Sequence, residues 1–232
     1  MWSGWPSMPT ISAAAADAAL ILGAYLWGSL SPADFIARRR RGIDLRRYGS
    51  GTIGASNVGE QLGAAWKIVA GLADVFKGWA PAALADRLGF DTPTVVLAGL
   101  AVVAGHNWSL WLAFMGGRGI AATLGVLCAW DLRLVVLVLA LFAVAEVTKQ
   151  GGLISMLALL LLAPAAWLWR DPAWVVIGCA ALTLLIAVKR LEANRLPLPR
   201  DPRERRAVLW RRFWLDRDVP AEQAWEKRRR FT

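Results

Sequence analysis

Long apolar stretches recur along most of the chain and alternate with short polar or glycine-rich segments. A membrane-spanning helix needs about 20 predominantly apolar residues, and seven stretches of the chain resemble such helices. The predicted spans are roughly residues 13–36, 63–86, 93–114, 119–130, 132–148, 151–169 and 172–188. The fourth stretch is short, so it predicts either a half-depth helix or a helix joined to its neighbour. The pattern predicts an all-α fold, a polytopic membrane bundle of about seven transmembrane helices.

The composition of the chain agrees with this pattern. Hydrophobic residues make up 57% and charged residues 19% of the 232 residues, whereas a soluble domain is about half apolar and about a quarter charged. The formal net charge is +10, and such a charge often indicates nucleic-acid binding. Here the basic residues lie in blocks between and after the apolar stretches, so we expect no nucleic-acid partner. The high hydrophobicity also argues against a disordered chain.

The basic residues predict the orientation of the bundle, because cytoplasmic loops of membrane proteins are enriched in Lys and Arg. The segment after the first predicted span carries Arg38–Arg41, Arg46 and Arg47. If this segment is cytoplasmic, 22 of the 27 Lys and Arg residues lie on the inner side and only three on the outer side. We therefore expect the N-terminus outside and the C-terminus in the cytoplasm.

The last part of the chain has a different composition. We divide the chain into a transmembrane domain, residues 1–199, and a basic amphipathic cytoplasmic tail, residues 200–232. Within the tail, Arg203–Leu215 places aromatic and aliphatic residues among arginines, a pattern typical of an interfacial helix on an anionic membrane leaflet. Docking of a protein partner is the alternative interpretation of this segment.

A first glycine-rich segment, Gly42–Asn57, follows the first predicted span. Glycines let backbone N–H groups approach an anion closely, and neighbouring hydroxyl and amide groups add donors. The candidate phosphate-binding residues of this segment are Gly49, Ser50, Gly51, Gly54 and Asn57. A flexible linker or a tight turn is the alternative. The segment lacks the lysine of a P-loop and follows no strand, which argues against nucleotide binding.

A second glycine-rich segment, Gly105–Thr123, carries the only histidine of the chain, His106. Its candidate phosphate-binding residues are Gly116, Gly117, Arg118 and Gly119, which directly precede the fourth predicted span. A helix N-terminus after a glycine turn is a favourable anion site, and Arg118 would add a charge-assisted contact. His106 is either a structural hydrogen-bonding residue or a proton acceptor.

Two ionisable residues, Asp74 and Lys77, lie inside the second predicted span and share one face of it, because they are three positions apart. Ionisable residues inside a membrane normally face the protein interior or a water-filled cavity. A structural ion pair explains these residues as well as a substrate-binding site does. The two cysteines, Cys128 and Cys179, fall inside predicted spans, and without a His/Cys cluster we expect no metal site.

Taken together, these segments resemble the PlsY family, the bacterial membrane acyl-phosphate glycerol-3-phosphate acyltransferases. The matching stretches are Gly28–Arg38, Gly42–Val58, Asp74–Pro81, Gly105–Thr123 and Lys189–Leu196. The resemblance implies a multi-pass protein of the bacterial cytoplasmic membrane that transfers a fatty acyl group from acyl-phosphate to the 1-hydroxyl of glycerol 3-phosphate. Lysophosphatidate, a precursor of phospholipids, would be the product. The reaction needs no cofactor, and its partners would be the two substrates and the membrane lipids.

The resemblance also implies roles for particular residues. Ser50, His106 and Lys189 would act in catalysis, and Lys77 and Arg190 would join the two glycine loops in binding substrate phosphate.

Several positions depart from the usual motifs of the family. Thr52 stands where the family has Asn, and Ser56 where it has Thr. Glu60 stands where the family has Arg, Met115 where it has Lys, Lys189 where it has His, and Glu192 where it has Asn. An alignment with a short gap instead brings Asn194 to the position of the family's Asn.

These departures leave three alternatives open beside the usual reaction. The acceptor could be a related polyol that carries less negative charge. The chain could be a family member with impaired catalysis that serves as a membrane-bound binding or assembly subunit. The intramembrane charges Asp74 and Lys77 also permit a small transporter, although the sequence shows no inverted repeat.

Overall fold

Helices form almost all of the regular structure of the protein, for which a computed structural model describes residues 12–218. The ten α-helices of this part are α1 (Ala13–Ser29), α2 (Pro32–Arg41), α3 (Ala55–Leu62), α4 (Ala64–Arg87), α5 (Thr92–Asn107), α6 (Ile120–Trp130), α7 (Leu132–Thr148), α8 (Gly151–Leu168), α9 (Ala173–Glu192) and α10 (Pro202–Leu215). Residues 12–218 contain no β-strand. The predicted all-α fold is confirmed.

Five helical segments within residues 12–218 are long and apolar enough to cross a membrane. They are Ala13–Arg41, Ala64–Arg87, Thr92–Leu112, Gly151–Leu168 and Ala173–Arg195. Helix α7 has 17 residues and α6 has 11, so both are shorter than these segments. The count of seven spans and the orientation of the bundle stay predictions.

The first predicted span, residues 13–36, lies within the helical segment Ala13–Arg41, in which the chain breaks between α1 and α2. Pro32 has no N–H to continue the helix, and the hydroxyl of Ser31 caps the first turn of α2. The break leaves the carbonyl group of Leu30 without a helical partner, and the Nζ of Lys77 donates to it over 2.7 Å. The break therefore brings polar backbone to the middle of α4.

The third predicted span, 93–114, corresponds to the segment Thr92–Leu112, within which α5 itself ends at Asn107. The residues that follow form a turn in which Ala113 and Phe114 have left-handed φ angles of 52° and 64°. The short fourth span is the separate helix α6. A single residue, Asp131, both ends α6 and caps α7 by accepting a hydrogen bond of 2.8 Å from the N–H of Arg133.

Small residues let the helices approach each other closely, which is typical of helix packing in membranes. Helix α1 lies against α5, where a Cβ atom added to Gly28 would overlap the carbonyl of Val102. Helix α4 lies against α6 in the same manner, because a Cβ added to Gly78 would overlap the carbonyl of Ala122. These close contacts fix the ends of α5 and α6 relative to α1 and α4.

The predicted tail helix is confirmed as α10, and it packs against α8 and α9. The side chain of Asp201 caps its first turn by accepting from the N–H of Glu204. Val208 and Arg212 are buried, whereas Trp210 on another face is 58% exposed. Binding of this helix to an anionic leaflet stays a prediction, and residues 219–232 of the tail lie outside the described part of the chain.

Candidate active site between the glycine loops and the end of helix α9

The first glycine loop, residues 48–54, is held by the side chain of Asn57 at the start of α3. The Nδ2 of Asn57 lies 3.1 Å from the carbonyl oxygens of Leu45 and Tyr48 and 2.9 Å from that of Thr52. Asn57 is 2% exposed. Its amide hydrogens therefore organise the loop, and its predicted contact with substrate phosphate stays a prediction.

Two hydroxyl groups lie together in the first glycine loop. The Oγ of Ser50 is 2.6 Å from the Oγ1 of Thr52 and also accepts from the N–H of Thr52 over 3.3 Å. Gly49 and Gly51, on either side of Ser50, have φ angles of 51° and 65°, a region that glycine adopts without strain. The loop thus turns back on itself and presents the serine side chain at its bend.

The second glycine loop, residues 116–119, packs directly on the end of α5. The N–H groups of Gly116 and Gly117 donate to the carbonyl oxygens of Asn107 and His106 over 3.1 and 3.0 Å. A Cβ atom on Gly117 would overlap the imidazole ring of His106. Both N–H groups therefore close the loop onto α5, and phosphate binding by Gly116 and Gly117 stays a prediction.

The two glycine loops touch each other, and a residue after α9 joins them. The N–H of Ile53 donates to the carbonyl oxygen of Gly116 over 3.4 Å. The Nδ2 of Asn194 lies 3.1 Å from the carbonyl oxygens of both Gly51 and Gly116. Asn194 thus joins the two loops, and its correspondence to the family's Asn stays a prediction.

The last turn of α9 brings a buried cation to the second glycine loop. Lys189 is 0% exposed, and its Nζ lies 2.9 Å from the Oε2 of Glu192 and 3.4 Å from the carbonyl oxygen of Phe114. The same Nζ lies 5.2 Å from the ring centroid of Trp108. Two of the residues that depart from the family motifs therefore form an ion pair at the edge of the site.

Arg118 lies between the second glycine loop, α9 and the segment after α10. One guanidinium nitrogen donates to the carbonyl oxygen of Lys189 over 2.9 Å. The Nε lies 2.6 Å from the Oδ1 of Asp216. The described structure therefore places two cationic side chains, Arg118 and Lys189, beside the two glycine loops.

Arg190, predicted to bind substrate phosphate, has a different role in the structure. It is 1% exposed, and its guanidinium donates to the carbonyl oxygens of Gly152 and Phe213 and to the Oγ of Ser155. These bonds use both terminal nitrogens. Arg190 therefore joins the start of α8 to the end of α10, and its contact with substrate phosphate stays a prediction.

Asp74, Lys77 and His106 form one buried network between α4 and α5. The Nζ of Lys77 lies 3.1 Å from the Oδ1 of Asp74 and 3.0 Å from the Nδ1 of His106. The Oδ1 of Asp74 is 3.4 Å from the same imidazole nitrogen, and all three residues are at most 7% exposed. The network favours the structural ion pair over phosphate binding by Lys77.

A second ion pair lies just before the first glycine loop. Arg46 donates from Nε and Nη2 to the two carboxylate oxygens of Asp44, over 2.9 Å to Oδ1 and 2.6 Å to Oδ2. Burial alone would raise the pKa of Asp44, but the hydrogen bonds from Arg46 hold this pKa below its usual value. The same contacts raise the pKa of Arg46. The positive charge of Arg46 is therefore largely balanced by the carboxylate of Asp44.

A groove with a volume of about 400 Å³ opens beside the break between α1 and α2. Apolar side chains that line it include Leu30, Phe35 and Trp111, and Arg38 and Arg39 add positive charge. Asp34 also lines the groove and pairs with Arg38 over 2.7 Å. The groove therefore combines an apolar surface with one ion pair and the positive charge of Arg39.

Three residues of the site region were not singled out as site residues by the sequence motifs. Asn194 was identified only as an alternative alignment, and Asp216 lies in the tail. The buried amide of Asn107 has no hydrogen-bond partner on either polar atom, and it lies against Gly119. One signal in the sequence could have identified Asn107: it is a polar residue within the apolar end of a predicted span.

Known proteins that are similar to this chain belong to one family. The family model described as Glycerol-3-phosphate acyltransferase matches residues 18–196. The protein named Glycerol-3-phosphate acyltransferase 4 from Dehalococcoides mccartyi strain CBDB1 is 35% identical, with 90% of this chain and 92% of that protein covered.

Solved structures of PlsY, an integral membrane glycerol 3-phosphate acyltransferase, are similar to the chain in fold. The crystal structure of the glycerol 3-phosphate form is 29% identical with a TM-score of 0.72, over 76% of this chain and 89% of that chain. The lysophosphatidic acid form is 26% identical with a TM-score of 0.69, over the same shares.

Proposed function

The chain belongs to the glycerol-3-phosphate acyltransferase family, and we propose that the two glycine loops and the end of α9 form its active site. The protein is an integral-membrane acyltransferase that acts on glycerol 3-phosphate in phospholipid biosynthesis. The observation that supports the position of the site is the amide of Asn194, which bridges Gly51 and Gly116. It joins three segments that are far apart in sequence and that all belong to the matched region.

We propose acyl-phosphate as the acyl donor. The 1-hydroxyl oxygen of glycerol 3-phosphate would attack the acyl carbonyl carbon, the new ester bond would form, and the bond between carbonyl carbon and phosphate oxygen would break. The hydroxyl proton leaves with the developing inorganic phosphate or through a basic group. Because the donor is already activated, the protein needs only to orient the substrates and to stabilise charge.

Arg118 and Lys189 are the cations that this reaction requires. Both lie at the second glycine loop, and a substrate phosphate between them would gain charge-assisted hydrogen bonds. We assign Arg118 to phosphate binding and Lys189 to stabilisation of the charge on the leaving phosphate. The hydroxyl of Ser50, at the bend of the first loop, is the proposed neutral donor.

The sequence left two roles open for His106, structural hydrogen bonding and proton acceptance. We assign it the structural role, in which it positions the second glycine loop. Its carbonyl oxygen accepts from the N–H of Gly117, and its ring fills the space where a side chain on Gly117 would lie. Its Nδ1 is occupied by Lys77. The residue therefore shapes the second glycine loop instead of exchanging a proton with substrate.

Two of the residues that depart from the family motifs, Glu60 and Glu192, are acidic, and the sequence alone suggested that they would repel an anionic acceptor. The structure weakens that objection. Glu192 forms an ion pair with Lys189, and Glu60 is exposed on α3. The relatives and the glycerol 3-phosphate form of PlsY favour this acceptor over a less anionic polyol. They also favour an active enzyme over an assembly subunit.

We place the enzyme in a bacterial cytoplasmic membrane, with the glycine loops on the cytoplasmic side, where the basic residues predict them. The groove beside the break between α1 and α2 is the proposed place for the acyl chain. Its lining by Leu30, Phe35 and Trp111 supports this assignment, because a hydrocarbon chain is stabilised by contact with apolar side chains.

A comparison of acyl donors tests the proposed function. Purified protein in detergent is given glycerol 3-phosphate with either palmitoyl-phosphate or palmitoyl-coenzyme A, and lysophosphatidate is measured. We expect turnover with palmitoyl-phosphate and a rate at least about 100-fold lower with the thioester. Equal rates with both donors would contradict the assignment of acyl-phosphate, and no product with either donor would contradict the enzymatic function.

A further inference from the structure

Arg118 lies against a segment that follows the part of the chain matched by the family model. The family match ends at residue 196, whereas Asp216 follows the last residue of α10. The Oδ1 of Asp216 lies 2.6 Å from the Nε of Arg118, whose side chain is 11% exposed. A carboxylate of the chain thus stands beside the cation that would receive a substrate phosphate.

The segment that carries Asp216 is anchored to the rest of the bundle. Arg190 donates to the carbonyl oxygen of Phe213 over 3.1 Å. A Cβ atom on Gly152 would overlap the carbonyl group of Leu215, so α8 and the end of α10 are in close backbone contact. Arg212 is 2% exposed, and its guanidinium donates to carbonyl oxygens between α9 and α10. The carboxylate of Asp216 is therefore held near Arg118.

Arg118 does not depend on Asp216 for its position. A terminal nitrogen of its guanidinium donates to the carbonyl oxygen of Lys189 over 2.9 Å, and this bond joins Arg118 to α9 independently of the tail. Neutralising Asp216 would therefore leave Arg118 in place and remove the negative charge that faces its guanidinium. If Asp216 served only to position Arg118, we would expect Asp216 to be the one contact that holds the guanidinium, whereas the carbonyl of Lys189 also holds it.

We propose that Asp216 competes with the phosphate of glycerol 3-phosphate for Arg118, and that the C-terminal segment thereby sets the apparent affinity of the enzyme for its acceptor. This inference rests on the proposed function, in which Arg118 binds phosphate. Two anionic oxygens at one guanidinium nitrogen repel each other, so phosphate binding requires the carboxylate to move away. The apparent dissociation constant is then the intrinsic constant divided by the fraction of molecules in which Asp216 has left Arg118.

The variant Asp216→Asn tests this competition. Asp216 has a φ of 51°, and Asn tolerates this left-handed region as Asp does, so the exchange removes charge without adding backbone strain. Asp218→Asn is the matched control, because Asp218 pairs with Arg212 over 2.8 Å and loses the same charge from the same segment.

Steady-state kinetics of the full-length enzyme give the first readout. We expect Asp216→Asn to lower the KM for glycerol 3-phosphate about three- to tenfold, the range for a partly exposed to well-buried ion pair. The kcat and the KM for palmitoyl-phosphate should stay within about twofold of the wild type. An unchanged or higher KM for glycerol 3-phosphate, or an equal decrease in Asp218→Asn, would overturn the proposal.

Binding of inorganic phosphate can be measured as a thermal shift of the full-length protein. This measurement distinguishes a failure of the present inference from a failure of the proposed function. Tighter phosphate binding by Asp216→Asn than by the wild type and by Asp218→Asn supports the competition even if no turnover is found. Equal binding in all three proteins overturns it even if the enzyme is fully active.

Discussion

The guanidinium of Arg118 donates a hydrogen bond of 2.9 Å to the carbonyl oxygen of Lys189, 71 positions later in the chain. This bond joins the glycine loop before α6 to the last turn of α9 and brings both cations to one place. Each has an acidic neighbour, Asp216 for Arg118 and Glu192 for Lys189. The site is therefore rich in cations whose charges are matched by carboxylates of the same chain.

Removal of the Arg118 cation should weaken acceptor binding and turnover. We expect Arg118→Met to lower kcat/KM for glycerol 3-phosphate about 10- to 100-fold, because a lost charge-assisted hydrogen bond costs about 1.5–3 kcal/mol. Arg118→Lys should recover part of the activity because it keeps the charge. The control is Arg87→Met, which removes an exposed arginine at the end of α4. Equal activity of the Arg118→Met and Arg87→Met enzymes would contradict the role of Arg118.

Loss of the Asn194 amide should separate the two glycine loops. Asn194 has a φ of 54°, so Asn194→Gly keeps the backbone and removes only the bridging side chain. We expect a decrease in kcat of about tenfold or more, because the loops would no longer hold the substrates in register. Ala193→Gly is the matched control, since Ala193 also has a left-handed φ, 47°. Rates within about twofold of each other for the two variants would refute the bridging role.

The buried Asp74–Lys77 pair should contribute to stability more than to substrate binding. Removing one partner of a buried ion pair typically costs about 3–5 kcal/mol, whereas replacing both by apolar residues costs much less. We therefore expect Lys77→Met to lower the midpoint of thermal unfolding in detergent strongly, and Asp74→Leu combined with Lys77→Met to recover most of it. If Lys77→Met instead raised only the KM for a substrate and kept its thermal stability, phosphate binding by Lys77 would be the better explanation.

The Asp44–Arg46 pair predicts a dependence of stability on pH. The pKa of Asp44 in the folded protein lies below its usual value, so the folded state favours the ionised carboxylate. This stabilisation is present above about pH 4, the usual range of an aspartate, and it is lost as the pH falls through the lower pKa of the folded protein. Asp44→Asn should therefore destabilise the protein at pH 7 by about 1 kcal/mol.

The difference in unfolding midpoint between Asp44→Asn and the wild type should shrink as the pH is lowered below about 4, towards the lower pKa of Asp44 in the folded protein. Asp86→Asn is the control, because it removes a different carboxylate, near the end of α4. A difference that stays constant over this range would show that Arg46 does not stabilise the ionised form of Asp44.

The spans were predictable because continuous apolar sequence has few alternatives in a membrane. Helices α4 and α8 begin and end within one residue of the predicted 63–86 and 151–169 at each end. The break before α2 was missed because Ser31 and Pro32 lie inside an otherwise apolar stretch. Only the structure shows that the carbonyl of Leu30, freed by the break, is satisfied by Lys77.

The site was predictable in its segments but not in the use of each donor. Glycine content identified both loops, yet the N–H groups of Gly116 and Gly117 turn towards α5. Sequence gives no information on which backbone donors a tertiary contact will use. Arg190 adjoins Lys189 in sequence, but neighbouring side chains on a helix point in different directions. Arg190 therefore faces α8, whereas Lys189 faces the second glycine loop.

Formation of lysophosphatidate by the purified protein tests the central claim most directly. Palmitoyl-phosphate and glycerol 3-phosphate are mixed with the wild type, Arg118→Met and Asn194→Gly, and both lysophosphatidate and inorganic phosphate are quantified. We predict equal amounts of the two products from the wild type, with the rate reduced about tenfold or more in each variant. Phosphate release without lysophosphatidate from the wild type, or undiminished lysophosphatidate formation by both variants, would contradict a glycerol-3-phosphate acyltransferase site between the glycine loops and α9.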